Sequence, residues 1–299
     1  MRRFLFLVAL FVPPTQPPDT EVFLATLSIQ AGKLTVGTPE NISNSPGYDN
    51  QPAFSRDGAS LYFTSARGGP APETNEPQMD IYRYDIASKK TAQLTRTPES
   101  EYSATVTPDG RHLSVIRVEA DKTQRLWKFT TAGSEPSVVL TDIKPVGYHA
   151  WLDEHTLALF VLGPPATLQV ADTRTGKAVV AASDIGRSLQ RIPGGGVSFV
   201  QRTGQGTRGL TIMELTLRDG KPVTSAVIGA APGATEEYVA WTPDGTLLMP
   251  AGGALYGWRR GDKEWKAVAN ISLRNVSRLA VSPRGDSIAF VATAGGSGG

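Results

Sequence analysis

The chain has 299 residues, 40% apolar and 19% charged, with a net charge of +2. No apolar run is long enough to span a bilayer as a helix. The absence of cysteine excludes disulfides, thiolate metal sites, a catalytic thiolate and a lipid-anchored N-terminal Cys.

Met1-Arg2-Arg3 is followed by apolar residues from Phe4 to Val12 and then by Pro13, Pro14, Pro17 and Pro18. A short basic start and a short apolar core predict a secretory signal peptide over 1–18. The expected location is therefore periplasmic or secreted. Arg2 and Arg3 also account for the whole charge excess: the rest of the chain holds 28 basic and 28 acidic residues. A neutral mature chain has no compositional basis for nucleic-acid binding. The charge is uneven along the chain, however. Residues 19–184 hold 15 basic and 20 acidic side chains, and 185–299 hold 13 and 8.

With 31 glycines and 22 prolines, the chain reads as many short elements joined by turns. One phrase recurs: an apolar strand, a Pro-Asp-Gly-like turn, and a second apolar strand. It runs through Phe54-Ser55-Arg56-Asp57-Gly58, Val106-Thr107-Pro108-Asp109-Gly110 and Trp151-Leu152-Asp153-Glu154. It returns at Ile192-Pro193-Gly194-Gly195, Trp241-Thr242-Pro243-Asp244-Gly245 and Val281-Ser282-Pro283-Arg284-Gly285. Anchored on Phe54, Val106, Trp151, Ile192, Trp241 and Val281, the spacings are 52, 45, 41, 49 and 40. That is the period of a four-stranded propeller blade. A second hairpin lies between most copies, as in Asp80–Asp85 turning into Thr91–Thr95. The sixth copy has no outer hairpin after it. Val22–Leu27 and Leu34–Val36 supply the missing pattern from the N-terminus, and closure by them removes two sheet edges. The expectation is an all-β, six-bladed β-propeller of four-stranded antiparallel blades over 19–293. A flexible tail is expected over 294–299.

The Asp-Gly turns, the segment Asp80-Ile81-Tyr82-Arg83-Tyr84-Asp85 and the closing Leu94-Thr95 resemble the repeat of the TolB-like propeller family. Gly47-Tyr48-Asp49-Asn50-Gln51-Pro52 and Val146-Gly147-Tyr148-His149-Ala150-Trp151 are similar to stretches of an uncharacterised subgroup of it. The resemblance implies a six-bladed propeller, export and a propensity for protein binding. Fold-level likeness alone does not assign an activity.

Chemistry is sparse. Of the three histidines, His112 and His155 fall in turns and His149 lies in an inner strand, with no zinc-type spacing among them. Gly295-Gly296-Ser297-Gly298-Gly299 matches the nucleophile-elbow pattern only formally: the elbow needs a strand before and a helix after, and this Gly-Ser run is expected to be a flexible linker instead. The charged group Arg117, Glu119, Asp121, Gln124 and Arg125 reads as a self-paired rim loop or a partner contact. The segments entering the innermost strands should line the funnel mouth. They carry the candidate ligand-binding residues Asp49, Asn50, Gln51, Glu101, Tyr102, Tyr148, His149, Arg187, Glu236 and Arg278. Asp49, Glu101 and Glu236 are hard oxygen donors of the kind Ca²⁺ takes. Gluconolactonase-like propellers hold a central Ca²⁺ on such donors. Two functions are therefore expected. The first is a non-enzymatic, monomeric scaffold in the bacterial envelope that binds a protein or peptide partner. The alternative is a Ca-dependent hydrolase or lactonase-like enzyme with its site in the funnel.

Overall fold

The computed structural model describes residues 18–30, 33–72, 75–203 and 209–293. The expected signal segment, Pro18 aside, and the tail 294–299 lie outside the described residues. The N-terminal strands are β1 (Thr20–Gln30), β2 (Lys33–Val36) and β3 (Glu40–Asn41). Blade I follows with β4 (Asp49–Phe54), β5 (Ser60–Ser65), β6 (Asp80–Asp85) and β7 (Lys90–Gln93). Blade II is β8 (Ser100–Val106), β9 (His112–Val118), β10 (Gln124–Thr130) and β11 (Ser137–Val138). Blade III is β12 (Val146–Trp151), β13 (Thr156–Val161), β14 (Thr167–Asp172) and β15 (Lys177–Ser183). Blade IV is β16 (Ile185–Arg191), β17 (Val197–Arg202), β18 (Leu210–Arg218) and β19 (Lys221–Gly229). Blade V is β20 (Ala240–Trp241), β21 (Leu247–Ala251), β22 (Ala254–Trp258) and β23 (Lys266–Asn270). The last strands are β24 (Arg278–Val281) and β25 (Ser287–Thr293).

Each blade is an antiparallel meander whose first strand is innermost. Blade VI has the order β2-β1-β25-β24, with β1 paired along β25 from Thr20↔Thr293 to Thr26↔Ser287. The ring therefore closes through the N-terminal strands, as the unmatched outer hairpin predicts. Closure leaves no open inter-blade edge at the point where the chain's two ends meet.

The core is distributed rather than central. Six apolar clusters each join two neighbouring blades. Second-strand residues supply them by period-2 alternation. Leu61 and Phe63, Leu157 and Leu159, Val197 and Phe199, and Ile288 and Phe290 are all fully buried against the preceding blade. Burying one such side chain contributes about 1.5–3 kcal/mol.

The residue between each pair faces the following blade, and its size complements the anchor it meets. Ser114 meets Trp151 and Ser198 meets Trp241, each accepting the indole Nε1–H at 2.9 Å. Ala289 packs with Phe54, and the large Tyr62 and Leu248 pack with the smaller Val106 and Val281. Blade IV corrects one sequence anchor. Arg191 pairs with Val197, as Trp241 pairs with Leu247, so Arg191 and not Ile192 is the structural equivalent. Ile192 corresponds to Thr242, the first residue of the turn.

The turns carry a device beyond Pro-Asp-Gly. Ser55, Thr107 and Thr242 donate their hydroxyls to Asp57, Asp109 and Asp244. Each Asp also accepts a backbone N–H from the residue just before the return strand. The hydrogen bonds from Ser55 and Thr107 hold the Asp57 and Asp109 carboxyls below the ordinary aspartate range. Arg284 donates to the Gly58 carbonyl at 3.2 Å, and Arg56 donates to the Pro108 carbonyl. These two arginines tie the turn of blade VI to that of blade I, and the turn of blade I to that of blade II.

Replacing Ser198 with Ala leaves the Trp241 indole N–H buried without an acceptor. The expected loss in urea unfolding is about 1–3 kcal/mol. Adding Trp241→Phe to that variant should recover part of it, because no donor is then stranded. A Ser198→Ala variant as stable as the wild type contradicts the inter-blade pairing.

Candidate functional site

A channel of about 930 Å³ runs along the propeller axis. Its wall is built from the six inner strands, and the turns after those strands surround it, including Pro108, Pro193, Pro243 and Pro283. The channel is wide because the residue before each anchor is mostly small. Ala53, Thr105, Ala150, Gln190, Ala240 and Ala280 occupy that position, and all six line the cavity. Only Gln190 projects a long side chain there.

At the other end of the inner strands the axis is crowded. Tyr48, Tyr102, Tyr148, Arg187, Tyr238 and Arg278 gather there, one from the entry of each blade, close enough to share one electrostatic environment. Arg278 is the centre. One of its Nη2 hydrogen bonds reaches Tyr148 Oη at 2.8 Å and another reaches Tyr238 Oη at 2.5 Å. Its guanidinium stacks 3.9 Å from the Tyr238 ring centre and 5.1 Å from that of Tyr148. Blades VI and III lie opposite each other, so the Arg278–Tyr148 bond crosses the axis. Burial pushes the Tyr48 and Tyr238 phenols above the ordinary tyrosine range. Burial acts on Tyr148 too, but Arg278 and the Tyr238 hydroxyl outweigh it and hold that phenol below the ordinary range. The tyrosines in turn raise the Arg278 pKa against its desolvation, so the guanidinium stays charged.

The acidic candidates go elsewhere. Asp49 turns into blade I, where its Oδ1 takes Arg67 Nη2 at 3.1 Å. Arg67 is itself stacked on Phe63 and Tyr82. Burial raises the Asp49 pKa, opposed by Ser65 and Arg67. Glu101 repeats this arrangement in blade II, with Arg117 Nε 3.1 Å from its Oε1 and Arg117 stacked on Trp127 and Phe129. Arg117 also pairs with Glu99 at 2.7 Å. Desolvation dominates at Glu101 and pushes its carboxyl up to about 7, with Thr97 and Arg117 opposing. Glu236 sits at the edge of a second cavity of about 390 Å³, and its carboxyl is raised by burial and by Glu237. Asp49 and Glu101 are thus held in separate blades by separate arginines. Among the described residues no three His, Asp or Glu side chains group as metal ligands, so the expected Ca²⁺ donors do not fit a common site.

Asn50 and Gln51 serve the backbone. Asn50 Oδ1 accepts the Gln51 N–H at 2.8 Å. Gln51 Oε1 accepts Thr64 Oγ1–H at 2.9 Å and the Ser103 N–H at 2.8 Å, bridging blades I and II in the channel wall. Gln51 and Ser103 both have left-handed φ, 59° and 55°, at inner-strand bulges. Such φ values in non-glycine residues mark local strain.

His149 lines the channel, and its Nε2 lies 2.7 Å from Ser114 Oγ. The pair is not a nucleophile and base. Ser114 is fully buried, and its hydroxyl already serves Trp151 and the Thr105 carbonyl. Burial lowers the His149 pKa to about 3, leaving it neutral. The rim group is paired only in part: Arg125 binds Glu119, which also accepts Trp127 Nε1–H at 2.9 Å, while Arg117 turns to Glu99 and Glu101 and Asp121 accepts the Thr123 N–H. Of the turn histidines, His155 is exposed, but His112 is half-buried with Nδ1 3.5 Å from Asp109.

No protein-family model matches the sequence, and a comparison with curated proteins finds no match. Among solved structures the chain is similar to a putative TolB from Agrobacterium tumefaciens, at 16% identity and a TM-score of 0.63, covering 91% of this chain and 98% of that one. It is similar to TolB from Acinetobacter baumannii at 11% identity and a TM-score of 0.58, covering 93% and 66%. A gluconolactonase from Xanthomonas campestris is similar at 9% identity and a TM-score of 0.62, covering 93% and 97%. Identities this low show a shared fold alone. The fold is the six-bladed propeller of TolB proteins, and the resemblance read from the repeats holds at that level.

The Glu101 pKa lies above its unfolded value near 4.5, so the stabilisation linked to the neutral acid is complete below that pH and is lost as the pH rises through 7. Glu101→Gln keeps a neutral hydrogen-bonding group, and Arg117 retains Glu99. Relative to the wild type, the melting temperature of the variant should rise by several degrees between about pH 5 and pH 8. A difference that stays flat over that range contradicts the buried-acid assignment.

Proposed function

We propose that this chain is a monomeric, exported, non-enzymatic binding propeller of the bacterial envelope that takes a peptide or an extended protein segment into its axial channel. The observation that carries this reading is the preformed channel, wide along the small-residue ring and bounded at the entry end by the arginine–tyrosine cluster. A rigid wall of paired inner strands takes up a ligand with little reorganisation. The N-terminal Arg2-Arg3 and the apolar run Phe4–Val12 support export. The described part of the chain contains no helix long and apolar enough to cross a membrane. Ser114 is buried with its hydroxyl hydrogen on the Thr105 carbonyl, burial makes His149 a weak base, and the carboxylates are dispersed, which favours recognition over nucleophilic chemistry in the channel.

Ala53→Trp fills the channel from its wall. A pooled synthetic octapeptide library with free ends, passed over immobilised protein, should leave peptides on the wild type. Their retention should fall at least about tenfold on Ala53→Trp, the loss expected when a well-placed contact surface is blocked. Equal retention by both proteins places binding outside the channel. Hydrolysis of a test lactone with Ca²⁺ present, abolished by Ala53→Trp, overturns the non-enzymatic reading in favour of the lactonase-like one.

A further inference from the structure

The six residues at the blind end of the channel differ from an ordinary wet lining in their charge balance. Two are guanidiniums and four are phenols. Among the described residues neither Arg187 nor Arg278 forms an ion pair with a carboxylate. Every other acid around them has another place. Glu237 holds Arg202 at 2.7 Å and accepts the Arg187 backbone N–H at 2.6 Å. Glu236 feels the Arg278 charge without forming an ion pair with it. Asp49 and Glu101 are held by Arg67 and Arg117. Arg187 is exposed, whereas Arg278 is half-buried, and a guanidinium so placed normally has a carboxylate or phosphate partner, because desolvating an unpaired cation is unfavourable. Stacking on Tyr148 and Tyr238 replaces part of that partner and supplies no negative charge.

The hydrogen bonds orient the ring as a set of donors. Arg278 donates to both phenol oxygens, so the phenolic hydrogens are left to donate in turn. The guanidinium's remaining N–H groups and the Tyr148 O–H are the donors left for a ligand. Because the Arg278–Tyr148 bond spans opposite blades, a chain entering from the turn face stops at the ring and does not thread past it. What meets the ring is therefore the end of the chain.

We propose that the ring of Tyr48, Tyr102, Tyr148, Arg187, Tyr238 and Arg278 binds the C-terminal carboxylate of a peptide inserted from the turn face, with Arg278 as its principal partner. The proposal rests on the reading of the channel as a peptide site and specifies which end of the peptide goes in. The carboxylate replaces the missing counter-ion, and the Tyr148 O–H adds a neutral hydrogen bond. The small residues along the wall leave the peptide's own side chains room.

The test uses one octapeptide pool made twice, with free carboxylate ends and with amidated ends, on the same immobilised protein. Acidic side chains are common to both pools, so they do not separate them. The free-acid pool should be retained at least about tenfold better, as charge-assisted hydrogen bonds to a desolvated group predict. Arg278→Gln should level the two pools, and Arg278→Lys, which keeps the charge without the fork, should restore part of the difference. Tyr238→Phe removes one phenol while leaving the stacked ring, and should reduce the preference without abolishing it. Melting temperatures of the variants close to that of the wild type confirm that the ring and not the fold is being read. Equal retention of both pools, or a preference that survives Arg278→Gln, overturns the carboxylate assignment while leaving the channel as a peptide site. Retention of neither pool overturns the peptide reading and the carboxylate assignment with it.

Discussion

Six inner strands converge on one axis, and the side chains they send inward compete for one narrow space. Most other features of the molecule follow from how that competition is resolved. Along the wall the positions before the anchors are held to Ala or Thr in five of six blades, and the axis stays open. At the entry end large residues arrive together, and Arg278 joins Tyr148 across the axis. The result is a channel that is open along its length and obstructed at one end. The ring can sustain this crowding because it is closed covalently in order and non-covalently at blade VI, where β1 pairs along β25.

The same geometry sorts the charges. Arginines at the ends of the second strands reach the acids at the start of the inner strands, so Arg67 takes Asp49 and Arg117 takes Glu101. Aromatic residues of the same blade stack on both arginines and hold them in place. These pairs are structural, and buried pairs of this kind specify arrangement more than they add stability. Arg187 and Arg278 stand outside this scheme. They face the axis, neither pairs with a carboxylate among the described residues, and phenol rings stack on Arg278. A positive, donor-rich terminus is what remains once the acids have been drawn into the blades.

Much of this was legible in the sequence. The turn phrase, its period and the unmatched outer hairpin at the N-terminus together determine blade number and closure, because turn chemistry and edge pairing are local rules. The acids before the anchors were also visible, but their direction was not. Bulges at Gln51 and Ser103 rotate the inner strands, and a one-residue change of register moves a side chain to another face. The arginines that claim the acids lie at the far ends of neighbouring strands, at spacings no motif records. The axial ring was half visible for the same reason. Its members lie six, four, three, four, three and three residues before their anchors, so no constant spacing links them. The apolar Ile192 imitates a strand end in the sequence, whereas the strand ends one residue earlier, at Arg191.

The central claim is that the channel ends in a cationic site with an unfilled demand for a carboxylate. Crystals grown without carboxylate buffers and soaked with 4-bromobenzoate offer the most direct measurement, because bromine is located by its anomalous scattering. The expected result is a bromine peak inside the channel, with the carboxylate against the Arg278 guanidinium and the Tyr148 hydroxyl. Bromine found only on the outer surface, or seated in the channel with its carboxylate turned away from Arg278, contradicts that claim.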